Sequence, residues 1–261
     1  MSTVPTPAAL FDLSGKRAAV IGGTGVLGGR FAQSLAAAGA EVAVLGRSEE
    51  RGNAVVAEIE AGGGRARFIA ADVSDRAGVE AAAAELAQGG GIDILVNAAG
   101  VNGRTPFAEL GDEEWERLLE VNLTSVFRAC QIFAPQMSNR PDGASIINIS
   151  SASSGPPLSR VFGYGAAKAG VNNVTQYLAR ELAPEGIRVN AILPGFFPAE
   201  QNRALLTQQR VDSIIGHTPM QRLGMPEELD GALLWLAAPR ASSFVTGALI
   251  HVDGGFSAMT I

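Results

Sequence analysis

Apolar residues fall in short runs that alternate with longer stretches of helical spacing. Ala18 to Ile21 is unbroken, and from Val26 to Ala38 apolar residues recur every three or four positions. The first pattern predicts a strand over Arg17–Gly22, the second a helix with one buried stripe. Further strands are predicted over Glu41–Leu45, Arg67–Ala71, Ile92–Asn97, Ser145–Ser150, Ile187–Leu193 and Ala248–Val252. Helices are predicted over Glu49–Ala61, Asp75–Ala87, Asp112–Met137, Gly163–Ala183 and Glu227–Ala237, with an irregular helical insertion over Glu200–Gly216. Strict alternation of strand and helix implies an α/β fold, a parallel sheet covered by helices on both faces. No linker, repeat or charge run divides the pattern. One domain is expected over residues 13–261, with residues 1–12 a flexible N-terminal arm.

Composition narrows the function classes. The chain has 261 residues, enough for a large single core, and a formal net charge of −6. It has no basic cluster, so neither nucleic acid nor an anionic membrane is expected as partner. No apolar run reaches the length of a membrane span, and no basic stretch followed by an apolar one marks a signal peptide. The single cysteine, Cys130, rules out an internal disulfide framework and fits a cytoplasmic location; it lies in an apolar helical run and reads as a core residue.

Sheets of this kind bind ligands beyond the carboxyl ends of their strands. The first strand ends in a glycine turn, Gly22-Gly23-Thr24-Gly25-Val26-Leu27-Gly28-Gly29, that opens into a helix. Such a turn lets backbone approach a pyrophosphate, which the helix N-terminus attracts. After the second strand, where an acid would hold the ribose hydroxyls of NAD, stand Gly46, Arg47 and Ser48. A cation and a hydroxyl suit a 2′-phosphate, so NADP(H) is the expected cofactor and NAD(H) the second choice. Asp72, after the third strand, suits the adenine amino group or a helix cap. Tyr164 and Lys168 lie one helical turn apart, with Ser151 thirteen residues upstream. A neighbouring cation is expected to lower the phenol pKa. Of the 20 Lys and Arg residues only Lys16 and Lys168 are lysine, and one of them falls where a tyrosine would need it.

With these residues in view, the chain resembles the short-chain dehydrogenase/reductases from Lys16 to about Ser257. The shared signatures are the glycine turn, Asp72-Val73, Asn97-Ala98-Ala99-Gly100, Asn122, Ile149-Ser150-Ser151, Tyr164 with Lys168, Arg188-Val189-Asn190, Pro194-Gly195 and Val252-Asp253-Gly254-Gly255. The resemblance implies a Rossmann-like, doubly wound sheet of seven strands and a homotetramer. It implies reversible hydride transfer between a nicotinamide cofactor and a carbonyl or secondary alcohol, with no metal. Catalytic roles are implied for Tyr164 as proton donor, Lys168 as its tuner and a ribose ligand, Ser151 on the substrate oxygen, and Asn122 as holder of a water beside Lys168. Cofactor contacts are implied at Gly22, Thr24, Val26, Leu27, Arg47, Ser48, Asp72, Val73, Asn97, Ala98, Gly100, Tyr164, Lys168, Pro194, Gly195 and Phe197.

Three positions depart from the family pattern: Val26 stands for glycine, Ala98 for asparagine and Ala199 for threonine. The segments Pro194–Leu206, His217–Met220 and Ala241–Gly247 resemble the D-mannonate oxidoreductase (fructuronate reductase) branch, with a substrate lid about residues 196–220. That resemblance implies a sugar-acid substrate. Arginine is suited to a carboxylate, so Arg160 is the first candidate to bind it, followed by Arg203 and Asn102. His217 and His251 read as ordinary packing or exposed residues. Rival readings are a polyol, ketose or 3-oxoacyl-thioester reductase of the same fold and, in another class, a non-catalytic nucleotide sensor.

Overall fold

Seven parallel strands form one sheet: β1 (Arg17–Ile21), β2 (Glu41–Gly46), β3 (Arg65–Ala70), β4 (Ile94–Asn97), β5 (Ala144–Ile149), β6 (Ile187–Pro194) and β7 (Leu249–Val252). Their order is β3-β2-β1-β4-β5-β6-β7. The structure, a computed structural model, describes residues 4–103, 105–197 and 207–259. β1 pairs with β2 on one side and β4 on the other, with Ile21 opposite both Leu45 and Asn97. The strand order reverses at β1, so the loops after β1, β2 and β4 open together at one edge, where such sheets hold ligands.

Both faces are covered. Helices α4 (Arg76–Gln88), α6 (Ser125–Met137) and α7 (Phe162–Leu182) pack one face through Leu86, Phe133 and Val171. Helices α2 (Val26–Ala37), α3 (Glu49–Ala61) and α9 (Asp230–Ala237) pack the other through Phe31, Ile59 and Leu236. β5 is buried at every residue, so it shows no in-out alternation; its two polar residues are bonded inside, the Ser145 hydroxyl to the Leu236 carbonyl and Asn148 to Asn97 and Thr175. Each fully buried Leu, Ile or Phe contributes roughly 1.5–3 kcal/mol.

The structure departs from the sequence pattern in three places. Within the segment expected to be a loose arm, α1 (Pro7–Phe11) forms a short helix beside Pro239–Ser242, with the Thr6 hydroxyl accepting from the Ala9 N–H at 3.2 Å. The helix expected over Asp112–Met137 is interrupted: α5 (Asp112–Leu119) runs into a π turn (Glu120–Thr124) before α6 begins. Of the expected insertion, α8 (Gln208–His217) is described and residues 200–206 lie outside the described residues. Among the described residues no helix is long and apolar enough to cross a membrane.

Candidate active site

A cleft of about 540 Å³ lies along the carboxyl edge of the sheet. Its floor is the turn from β1 into α2. Gly22 has φ +79°, and a Cβ on it would lie 2.5 Å from the Ala99 nitrogen; a Cβ on Gly28 would lie 2.1 Å from the Gly22 carbonyl. Glycine is required at both: Gly22 meets the backbone of the loop after β4, and Gly28 meets the turn itself. Gly25 caps α2 without a side chain, so the first amides of α2 have no side-chain partner. That leaves a ready site for an anion such as pyrophosphate. Val26 begins α2 at 40% exposure and lines the cleft beside Thr24 and Leu27. The residues present thus fit a dinucleotide: a bare-backbone cradle, an uncapped helix start, and a cleft long enough to reach Lys168.

At the far rim, Arg47 Nη1 lies 4.0 Å from Asp72 Oδ2, with the arginine side chain 72% exposed. Asp72 Oδ1 accepts the Ser74 N–H at 2.9 Å in a local turn, and Asp75 is the residue that caps α4. Ser48 does not line the cleft; its hydroxyl caps α3 by accepting from the Arg51 N–H at 3.4 Å. Arg51 does line it, one helical turn after Arg47. Arg47 precedes the Ser48 cap and Arg51 lies in the first turn of α3, so the cap brings both to the rim. Arg117 of α5 also lines the cleft, and no sequence signal singled it out.

The inner end gathers three predicted side chains. Ser151 follows β5 in extended conformation (φ −166°) and opens a 3₁₀ turn over Ala152–Ser154. Tyr164 and Lys168 project from α7, and all three residues line the cleft. Lys168 is 3% exposed, its Nζ donates to the Ile149 carbonyl at 2.8 Å, and it has no acidic partner among the described residues. Burial lowers its pKa from the usual 10.5 to about 8. The Nζ lies over the Tyr164 ring, 5.6 Å from its centroid. The expected lowering of the phenol pKa is not found: burial pushes it up, and the Ser151 hydroxyl pulls the other way. The ammonium is committed to a carbonyl and stands above the ring, so burial dominates. A phenol held protonated is the form needed to give up a proton.

Two asparagines sit differently from expectation. Asn122, in the π turn, is fully buried. Its Nδ2 donates to the Val101 and Leu118 carbonyls at 2.8 and 2.9 Å, and its Oδ1 accepts the Val101 N–H at 3.1 Å. Both amide protons are used, so the side chain clamps the loop after β4 to the helix. Asn97 does not line the cleft: its amide donates to Asn148 Oδ1 at 2.8 Å and to Cys130 Sγ at 3.4 Å inside the sheet. Asn148, opposite it in the β4–β5 register, draws it toward the neighbouring strand rather than the ligand edge. Cys130 is buried and its thiol is pushed up to about 12, a core residue as expected. Of the other expected cofactor contacts, Val73, Ala98, Gly100, Pro194, Gly195 and Phe197 all line the cleft.

A second cavity of about 170 Å³ adjoins the first. Ser151, Tyr164 and Asn102 line both, so the hydroxyls stand at the junction. Arg160, at φ 65°, lines the smaller cavity. So does Arg210 of α8, whose guanidinium donates to the Ser159 hydroxyl and carbonyl at 3.0 and 2.8 Å. Arg210 was not legible, because nothing in the sequence joins α8 to this loop. Arg203 and Ala199 lie outside the described residues.

The arrangement is a dinucleotide cleft whose inner end meets a small pocket at a tyrosine and a serine. A family model described as enoyl-(acyl carrier protein) reductase matches residues 25–257. The chain belongs to the short-chain dehydrogenase/reductase family. Among similar members is an uncharacterized oxidoreductase of Bacillus subtilis, UxuB, 43% identical over 95% of this chain and 96% of its own length. A gluconate 5-dehydrogenase from Burkholderia cenocepacia, solved with NADP and tartrate, superposes with TM-score 0.92 at 35% identity, covering 98% of this chain and all of the other. A Haemophilus influenzae protein, solved with NAD as a candidate D-mannonate oxidoreductase, superposes with TM-score 0.91 at 35% identity, covering 98% and 99%. As a short-chain dehydrogenase/reductase, this chain is an NAD(P)-dependent oxidoreductase.

Proposed function

We propose that the enzyme reduces the ketone of a sugar acid, D-fructuronate, to D-mannonate, and oxidises D-mannonate in reverse, with NADP(H) preferred. The observation that carries the reading is the position of Ser151 and Tyr164, which line both the cofactor cleft and the small pocket. When bound, the nicotinamide supplies the hydride, or accepts it in oxidation. In reduction the Tyr164 phenol gives its proton to the substrate oxygen, and the Ser151 hydroxyl donates a hydrogen bond to that oxygen as charge develops on it. Lys168 holds the nicotinamide ribose and places a positive charge beside the phenol. Asn122 keeps the loop at Gly100 against Lys168, since a Cβ on Gly100 would lie 2.9 Å from Asn122 Oδ1 and 3.8 Å from Lys168 Nζ. Gly22, Thr24, Val26 and Leu27 hold the pyrophosphate, and Asp72 and Val73 the adenine. Arg47 reads the 2′-phosphate.

The sugar acid is supported by Arg160 in a pocket small enough for a monosaccharide, and by similarity to the gluconate 5-dehydrogenase and the candidate D-mannonate oxidoreductase. Exposed Phe127 on α6 and Tyr177 on α7 support association into the expected homotetramer. The deciding experiment follows NADPH and NADH oxidation with fructuronate, tagaturonate, a neutral ketose and an acetoacetyl thioester. Fastest turnover with fructuronate and NADPH is expected. Preference for the ketose or thioester would leave the family reaction standing and overturn the sugar acid.

A further inference from the structure

Tyr164, Lys168 and Asn172 follow one another at four-residue spacing on α7, so all three lie on one stripe of the helix. Asn172 does not line either cavity. Its Nδ2 lies 2.8 Å from the Ser154 hydroxyl, which lies 2.6 Å from the Ser151 carbonyl. A carbonyl only accepts, so Ser154 donates its one proton to Ser151, and Asn172 must donate to Ser154. The Ser154 N–H reaches the same carbonyl at 3.0 Å. Asn172 Oδ1 is buried without a partner among the described residues. A side chain kept there for packing alone would be apolar, because a stranded buried acceptor is destabilising.

We propose that Asn172 is a positioning residue, which acts through Ser154 to fix the Ser151 turn to the helix bearing Tyr164 and Lys168. The proposal rests on reading those three residues as the catalytic groups. Upstream of Ser151 the strand end is already tethered to α7: Lys168 Nζ donates to the Ile149 carbonyl at 2.8 Å, and the Ser150 hydroxyl donates to the Lys168 carbonyl at 3.1 Å. Downstream, the hydroxyl of Ser151 is engaged with Ser153 of its own turn, whose N–H it accepts at 3.1 Å. The Asn172–Ser154 relay closes the other side, so Ser151 sits between two tethers to one helix.

The test compares kcat, KM, cofactor Kd and melting temperature in Asn172→Leu, Ser154→Ala, Ser154→Thr, the double variant Asn172→Leu with Ser154→Ala, and Ser151→Ala. The substrate is the fastest of the four carbonyl compounds above. Asn172→Leu and Ser154→Ala should each lower kcat about tenfold, since small displacements of a reacting group are costly. Cofactor Kd should not move. Asn172→Leu also removes the stranded acceptor, so its melting temperature should hold or rise while kcat falls. Ser154→Thr keeps the hydroxyl and should retain kcat. The double variant should be no slower than the slower single. The kcat/KM profile of Asn172→Leu should show the tyrosine step at higher pH, because Ser151 normally pulls that phenol down. The charged groups about the phenol are Lys168 on its own helix and Arg160 and Arg210 across the small pocket. Wild-type kcat in folded Asn172→Leu and in Ser154→Ala would overturn the proposal, as would multiplying losses in the double variant. Should Asn172→Leu not fold, full kcat in Ser154→Ala alone overturns it. An active Ser151→Ala would instead sink the catalytic reading beneath it.

Discussion

The two lysines stand at opposite edges of the sheet. Lys16, before β1, donates at 2.6 Å to Asp142, a carboxylate that stands largely in solvent. Lys168, beyond β5, is buried with a single carbonyl for company. Two arginines at each edge show the same contrast. At the amino edge Arg17 bonds the Gly89 and Gly90 carbonyls, and Arg140 bonds Gly90 and faces Asp93 at 3.8 Å. At the carboxyl edge Arg160 has no ion pair among the described residues, and Arg47 reaches its acid only at 4.0 Å. Acids outnumber bases 26 to 20 in this chain, yet among the described residues none is set against Lys168. A matched cation fixes structure; an unmatched one is held ready for charge that a ligand brings.

The contrast can be broken most sharply at the proton donor. Tyr164→Phe should lower kcat about 10²- to 10⁴-fold while cofactor titration stays normal. Near-normal turnover in the folded variant would remove the carboxyl edge from the chemistry. Next comes Arg160. If it awaits a carboxylate, Arg160→Ala should lower kcat/KM on the sugar acid roughly ten- to hundredfold and hardly touch a neutral ketose. Equal losses on both would make Arg160 structural, like Arg140. Arg47→Ala should then cut kcat/KM with NADPH about tenfold and spare NADH. An unchanged ratio would mean that no phosphate is read there.

The smallest effect is on stability, and its sign separates the two lysines. Below pH 8 Lys168 is charged in both folded and unfolded chains, and the folded state bears the full cost of burying it. Between about pH 8 and its ordinary 10.5 the folded form sheds the proton first and stability recovers. Lys168→Met should therefore raise stability by about 1–3 kcal/mol at pH 7, a gain that fades across that window. Lys16→Met should change the melting temperature much less at either pH, because its partner Asp142 is well exposed and a pair screened by solvent contributes little. Thermal melts at pH 7 and pH 10 compare the two.

Periodicity and turn chemistry were enough to read the alternating elements and the glycine turn, because strands buried on both faces are mostly apolar runs and Gly22 and Gly28 have no substitute. The spacing of Tyr164 and Lys168 likewise translates directly into one helical face. Asn97 misled because position at a strand end does not say which way a side chain turns; Asn148, opposite it in register, decided that. Arg210 and Asn172 were invisible for a related reason: each matters through a bond to a residue distant in sequence, Ser159 and Ser154. The π turn was invisible because the apolar spacing on each side of it still reads as helical, and nothing in the sequence marks where the two phases meet.

That extra residue has a consequence for how the protein tolerates change. Each residue advances a helix by about 100°. The wide turn at Glu120–Thr124 therefore resets the phase between α5 and α6. Before it, Leu118 points to the core while Arg117 lines the cleft and Glu114 accepts from Thr105 at 2.5 Å. After it, Val126, Cys130 and Phe133 face the sheet. Deleting one residue within the turn would restore an unbroken helix and rotate all of Asp112–Leu119 against everything downstream. Leu118 would swing off the core, Arg117 would leave the cleft, and the clamp of Asn122 on Val101 would have nothing to grip. The segment can accept substitutions on its outer face, but its length is fixed.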